Sequence, residues 1–507
     1  MVDVIFITPD SSFQSYQALS ETYSAIEPPT WSLLLAEAVR KKKYSAAIID
    51  CVAERLSISK TVERIKQIKG RLIVFVLYGQ NPNSGTSNMA GAIKLAEAIK
   101  GEQNIDMPLC FCGSHTQALP MEVLSKPCVD LVLLNEGVYA LLDLLQSNLA
   151  SDLTTIKGIG HKYHQKPCLN APQKIVPQSR MDIDLPGYAW DLLPFKKKPL
   201  DLYRAHFWHA NFDHDLRTPF AAIYTSLGCQ FACNFCMVNI VNRTDNNPWI
   251  NASHSHIMRF WSPEWVLREI EKLVQMGVKT LRISDEMFFL NRKYYIPILN
   301  RIIEKKIDLN IWAYSRVDTL RPQTFELLKK AGLNWIALGI ESGSRQVRLE
   351  ASKGTFQDTN IQAICKQISE ADIYTIANYI FGMPDDDFTT MQETLDLALE
   401  LNTEMANMYP CQALPGSPLY HYALKNGWSL PSSYEGYAFL SYACQPLRNK
   451  ALSAAEILKF RDEAWQQYFS NEKYLNLIEK RFGKTQRDNI KAMAKIKLKR
   501  QILEHTI

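Results

Sequence analysis

Three thiols stand close together near the middle of the chain: Cys229, Cys233 and Cys236, in the stretch TSLGCQFACNFCMVNIVNR with C-x3-C-x2-C spacing. Thiolates are soft ligands suited to iron-sulfur clusters, and Gly228 removes side-chain bulk where the loop must fold its sulfurs inward. Three thiolates leave one iron of a four-iron cube without a protein ligand, a vacancy where a substrate or cofactor can bind. A structural zinc loop is the competing reading. Cys233 and Cys236 make a C-x2-C arm, and His209 and His214 upstream make an H-x4-H arm. Zinc would leave Cys229 over, and the apolar run from Phe220 to Tyr224 separates the two arms.

The elements needed to hold such a loop are legible on both sides of it. After the thiols a helix-then-strand unit recurs. Ser262 and Pro263 start the helix EWVLREIEKLVQM, which stops at Gly277 and leads to the strand VKTLRISDE. The strands LNIWAYSRVD, WIALGIESG, YTIANYIFGMP and EMANMYPCQALP follow, each behind a helix. With the run from Phe220 to Thr225 as the first, this predicts six strands, a partial barrel rather than a closed eight-stranded one. Barrel sites form at the carboxyl ends of the strands, where this chain places Asp285 and Glu286, Ser315 and Arg316, Glu341 and Ser342, then Gly382 with Asp385 and Asp386.

Ahead of the thiols, residues 1–150 alternate short apolar runs with helical stretches. Five strands, VDVIFITP, YSAAIIDC, RLIVFVLYG, MPLCFCG and VDLVLLNEG, with intervening helices, predict a flavodoxin-like, doubly wound α/β domain. Such sheets bind ligands outside the carboxyl ends of their strands. The loops there carry Pro28-Pro29, Asn81 to Thr86 with Ser84, Gly113-Ser114-His115-Thr116, and Asn135-Glu136-Gly137. Small, hydroxyl-bearing loops admit the edge of a large planar ligand.

Residues 151–215 lack a sustained period and read as a bridge that packs, since Trp190, Leu192, Leu193 and Phe195 are too apolar to stay exposed. The barrel is assigned to 216–420 and a mostly helical region to 421–507. In that region the run from Tyr434 to Tyr442 either lines a substrate cavity or packs on the barrel. The ending KAMAKIKLKRQILE reads as a basic amphipathic helix with a buried Ile/Leu stripe.

A length of 507 residues predicts two or three domains, and 47% hydrophobic with 21% charged residues is ordinary for a soluble globular protein. A formal charge of +5 makes no case for nucleic acid. Eleven scattered cysteines, an odd number, predict a reducing, cytoplasmic location. No run approaches ~18 apolar residues, so no membrane span is expected.

The thiol array, with aromatic Phe235 just before the last cysteine, resembles the signature of the radical S-adenosylmethionine enzymes. The resemblance implies a 4Fe-4S cluster whose open iron is chelated by S-adenosylmethionine, cleaved by one electron from a donor such as flavodoxin or ferredoxin. It implies that Asp285 and Glu286 accept from the methionine amino group, that Ser315 and Arg316 pair with its carboxylate, and that Glu341 meets the ribose hydroxyls. Phe235 would lie against adenine, with Gly382 also at the S-adenosylmethionine site.

PPTWSLL, CGSHT and NEGVYAL look like the cobalamin-binding domain that precedes the radical domain in one branch of that family, and DIDLPGYAWDLLPF resembles its bridge. Cobalamin contacts are thereby expected at Ser84, Thr86, Gly113, Ser114, His115, Glu136 and Gly137. Cys112, Asn135 and Val138 depart from the branch's pattern, and the loop PDSSFQSYQ carries no histidine to ligate cobalt from below.

The implied activity is methylation of an unactivated carbon of a small molecule, with a lean towards sugar-containing substrates. An oxidative cyclase or rearrangement enzyme, or a non-catalytic cobalamin or redox sensor, would share these motifs. A tRNA methylthiotransferase would need three further cluster cysteines ahead of the motif. Cys51, Cys110, Cys112 and Cys128 instead sit in or beside apolar strands.

Overall fold

The computed structural model describes the chain except residues 79–81, 150–151, 249, 353, 357 and 505–507. Asn81 and the domain boundary expected at 150–151 lie outside the described residues.

The amino-terminal sheet has seven strands in the order β2-β1-β3-β4-β5-β6-β7. They are β1 (Val2–Thr8), β2 (Ala46–Asp50), β3 (Gly70–Leu77), β4 (Leu109–Gly113), β5 (Leu131–Leu133), β6 (Ile159–Tyr163) and β7 (Lys166–Leu169). The first five are parallel, in the doubly wound order expected. Alternate residues serve two cores. Ile5, Ile7, Ile73 and Phe75 pack against the helices Ile58–Ile68 and Gly85–Lys100. Val4, Phe6, Leu72 and Val74 pack with Thr30–Lys41 and Val138–Gln146. Burial on both faces is why these strands read as continuous apolar runs.

The bridge departs from expectation, because β6 and β7 form an antiparallel hairpin that extends the sheet. Its turn places His164 (φ 49°) and Gln165 (φ 63°) in the left-handed region without the Asn-Gly or Gly-Gly pair that announces such turns. Trp190 and Leu193 are buried as expected and Leu192 packs against them, in a core continuous with that of the barrel. Phe195 is instead 42% exposed, at the head of the charged turn Lys196 to Lys198.

The second sheet begins with β8 (Phe220–Ile223). A two-stranded ribbon of β9 (Ser226–Leu227) and β10 (Arg259–Phe260) stands at its carboxyl end. Then come β11 (Thr280–Ile283), β12 (Asn310–Arg316), β13 (Leu333–Glu341), β14 (Tyr374–Phe381) and β15 (Met405–Pro410). All six strands of this sheet are parallel, ordered β8-β11-β12-β13-β14-β15, an open half-barrel with helices outside.

The carboxyl-terminal region is helical, opening with Ala454–Phe469 behind a Ser453/Glu456 capping box. The basic tail is a correction to the sequence reading: the helix Lys484–Ala494 ends before the Ile/Leu stripe is complete. Residues 495–500 leave the helix, with Arg500, 3% exposed, bonded to Asp462 (2.8 and 2.9 Å) and to the Ser441 carbonyl (2.8 Å), before the short helix Gln501–Glu504. Among the described residues no helix is long and apolar enough to cross a membrane, and all eleven cysteines are free thiols.

Candidate active site

The thiol loop leaves the carboxyl end of β8 and is tied down before its first cysteine. Thr225 donates to Asp285 from its N–H and its hydroxyl, and Ser226 donates from its hydroxyl, each at 2.6 Å. Gly228 has φ +87°, and a Cβ there would stand 2.1 Å from the Ile257 carbonyl oxygen, so glycine is required. Asn239 closes the loop on itself: its Oδ1 accepts from Cys229 N–H and its Nδ2 donates to Cys229 O, both at 2.8 Å. Sequence reasoning missed Asn239 and also Asn83, whose Oδ1 accepts from Met237 N–H at 3.1 Å and joins the amino-terminal domain to the thiol loop.

Cys229, Cys233 and Cys236 all line a cavity of about 460 Å³. Burial pushes the Cys229 thiol up to about 12 and Cys233 up to about 11, and holds Cys236 well above the usual range. Thiols so buried ionise when a cation takes the place of the proton. Three soft donors on one wall of one cavity fit the iron cube that the spacing predicts. The zinc arrangement is not assembled. His209 donates from Nε2 to Asn310 O (3.0 Å) and packs edge-on against Phe220, at the amino ends of β12 and β8, across the barrel from the thiols.

The two sheets share this cavity at the carboxyl ends of their strands. Thr8, Ser11, Asp50 and Ser84 line it from the first sheet, and Glu286, Arg316, Glu341 and Asn378 from the second. The residues expected at the S-adenosylmethionine site divide. Phe235 and Ser315 reach the cavity wall. So does Glu286, whose Oε1 is buried without a hydrogen-bond partner and whose carboxyl is pushed up to about 7 by burial, with Arg282 opposing. An orphaned buried acid fits a ligand that brings an ammonium. Glu341 sits at a register shift between β13 and β14 with φ +69°, a strained backbone that turns its carboxyl into the cavity. Burial pushes that carboxyl also up to about 7.

Asp285, by contrast, is 1% exposed and committed to Thr225 and Ser226. Arg316 reaches the cavity, but Asp318 holds the bidentate edge expected to meet a ligand carboxylate, at 2.6 and 2.7 Å. The guanidinium also lies 3.7 Å from the Phe231 ring centroid. Gly382 faces the helix Ala454–Phe469, where a Cβ would meet Ile457 at 2.5 Å.

Of the residues expected around cobalamin, Ser84 lines the cavity. The others shape the loops behind it. Thr86 and Glu122 hold the two ring nitrogens of buried His115 at 3.1 and 3.2 Å. Ser114 donates to Pro82 O (2.5 Å). Gly113 and Gly137 have positive φ, 154° and 77°, in tight turns against Leu77 and Cys112. Glu136 is buried, accepting from Val176 N–H and ion-paired with Arg259 at 2.7 Å. The cavity wall on this side is built by Ser11, Ser12, Ser15, Ser87 and Asn88, hydroxyls and an amide that suit the amide-fringed edge of a corrin.

Adjacent Asp285 and Glu286 are expected to behave differently on substitution. Asp285→Ala leaves three buried donors unmet, which destabilises the fold by about 1–3 kcal/mol for each unsatisfied group, so melting temperature and iron content fall together. Glu286→Gln is expected to leave both unchanged and to weaken S-adenosylmethionine binding, measured by equilibrium dialysis.

Residues 223–398 match the model of the Radical SAM superfamily, so the chain carries a radical S-adenosylmethionine domain. An uncharacterised methyltransferase of Pyrococcus horikoshii is 26% identical over 464 residues, 90% of this chain and 91% of that one. The anaerobic magnesium-protoporphyrin IX monomethyl ester cyclase of Cereibacter sphaeroides is 24% identical over 90% of this chain and 68% of its own. The fold extends beyond the radical domain to whole solved structures. The methyltransferase TsrM of Kitasatospora setae, solved with cobalamin and a 4Fe-4S cluster, superposes with a TM-score of 0.65 at 13% identity, over 93% of this chain and 90% of that one. OxsB, a cobalamin-dependent radical enzyme solved with aqua-cobalamin and S-adenosylmethionine, superposes with a TM-score of 0.67 at 13% identity, over 97% and 70%.

Proposed function

We propose that this protein is a cobalamin-dependent radical S-adenosylmethionine methyltransferase that methylates an unactivated carbon of a small molecule. The observation that carries the reading is the single cavity in which three thiols, the unpartnered Glu286 carboxyl and the hydroxyl-rich loops of the doubly wound sheet meet. When bound, the cluster supplies one electron to open S-adenosylmethionine and the corrin supplies the methyl group. Cys229, Cys233 and Cys236 would hold the cluster, Glu286 would receive the amino group, Phe235 would lie along adenine and Glu341 would take the ribose hydroxyls. Ser84 with its serine neighbours borders the corrin. The chain's own contribution is to orient these groups and keep water out of the space between the sheets. A cytosolic one-electron carrier such as a flavodoxin or ferredoxin reduces the cluster, in keeping with eleven free thiols.

Binding should follow pH with a set sign. The Glu286 carboxyl, raised to about 7, is protonated below that value in the empty site, while an amino group that donates to it selects the ionised form. S-adenosylmethionine affinity is therefore expected to rise by up to about tenfold per pH unit towards pH 7 and to level above it. Glu286→Gln should flatten the profile.

The decisive experiment is anaerobic incubation of the reconstituted protein with methyl-labelled S-adenosylmethionine and a metabolite extract, followed by mass spectrometry. Label at carbon in a product supports methyl transfer. Deoxyadenosine without labelled product favours the second reading, an oxidative cyclase, which the likeness to the Cereibacter sphaeroides enzyme along 90% of this chain supports. Cofactor binding without S-adenosylmethionine cleavage would leave a sensor.

A further inference from the structure

We infer that the substrate is a flat aromatic molecule, uncharged or bearing an amine, seated against a wall of Tyr314, Tyr409 and Phe439. This rests on the methyl-transfer reading of the same cavity. The thiol loop rises from β8 at one edge of the half-barrel sheet, and β15 is the opposite edge. Tyr409 in β15 and Phe439 beyond it meet edge-to-face, ring centroids 4.8 Å apart at 64°, and both line the cavity. Tyr314 in β12 lines it too, braced by Trp312 at 4.9 Å and by the Arg282 guanidinium 5.4 Å from its ring. Tyr16 brings another aromatic ring from the first domain. Rings fixed edge-to-face offer a flat guest both stacking and edge contacts beyond area burial.

Charge narrows the class. Among the described residues four carboxylates line the cavity, Glu27, Asp50, Glu286 and Glu341, against one cation, Arg316. Asp318 already neutralises that cation in a bidentate pair. Arg282 pairs Glu27 at 2.6 Å from behind the wall. A phosphate or carboxylate on the substrate would therefore lose its hydration and find no free cation among the described residues, whereas an ammonium would meet tyrosine faces. The lining argues against nucleotide-sugars and acids, and so narrows the sugar-containing class expected from the sequence.

The test uses holoprotein loaded with cluster and cobalamin, kept anaerobic, and titrated calorimetrically with 2-naphthylmethylamine, 2-naphthylacetate and UDP-glucose. The amine is expected to bind, the isosteric acid at least about tenfold more weakly, and UDP-glucose not measurably. Tyr409→Leu should weaken the amine about tenfold with iron content and S-adenosylmethionine affinity unchanged, and Tyr409→Phe should retain it within about twofold. Equal or tighter binding of the acid or of UDP-glucose overturns the inference. So does a failure of the amine to bind at millimolar concentration, or an amine affinity indifferent to Tyr409→Leu. Failure of the methyl-transfer reading would appear separately, as absent carbon label in the isotope experiment with these binding preferences intact.

Discussion

Cys233→Ala is expected to remove iron and S-adenosylmethionine cleavage together. One loop brings three thiols to the cavity wall, and burial keeps each thiol protonated until a metal replaces the proton. With two thiolates the cube lacks the support to stay whole, and cleavage is expected to fall by at least about 10³-fold because the electron source is gone. Iron analysis, visible absorption and deoxyadenosine release measure the three consequences in one preparation. Cys168→Ala is the matched control. That thiol lies on β7 against His161 (3.4 Å), so its loss should leave iron and cleavage unchanged. Full iron content in Cys233→Ala would remove the cluster from this loop.

Glu136 carries the second large effect. Its resemblance-based role was to touch cobalamin, but the side chain is 1% exposed and faces Arg259, itself 3% exposed. The Arg259 guanidinium also donates to Val176 O (2.7 Å) and Asn242 Oδ1 (3.0 Å), so this ion pair stitches the first domain, the bridge and the thiol loop's return path together. Removing one partner of a buried pair leaves the other charge uncompensated, and Glu136→Ala is expected to destabilise the protein by about 3–5 kcal/mol. A lower melting temperature in the cofactor-free protein checks this. Glu136→Leu combined with Arg259→Met should recover part of the loss, because an apolar pair of similar volume removes both buried charges but leaves Val176 and Asn242 without these partners. An unchanged melting temperature with weakened cobalamin binding would instead return Glu136 to the ligand.

Both variants probe connections of different range. The thiols are within one short loop, so their spacing alone states their chemistry. The Glu136–Arg259 pair spans more than a hundred residues of chain, and no local pattern announces it. The hydrogen bond from Met237 to Asn83 is of the same kind.

What the sequence by itself determined is what depends on nearest neighbours and periodicity. Alternating apolar runs and helical stretches define two parallel sheets, since strands covered on both faces must be continuously apolar. The C-x3-C-x2-C spacing puts three thiols on one short loop. Polar residues after successive strands locate the functional end of each sheet. Tertiary structure decided which of those polar residues face the cavity. Asp285 and Glu286 are adjacent at the end of one strand and chemically alike, but successive side chains point to opposite sides, so one braces the thiol loop and the other lines the cavity. The apposition of Tyr409, Phe439 and Tyr16 with the thiols likewise arises only when the two carboxyl-terminal faces close on each other, because these rings come from distant segments whose meeting is set by packing rather than by spacing.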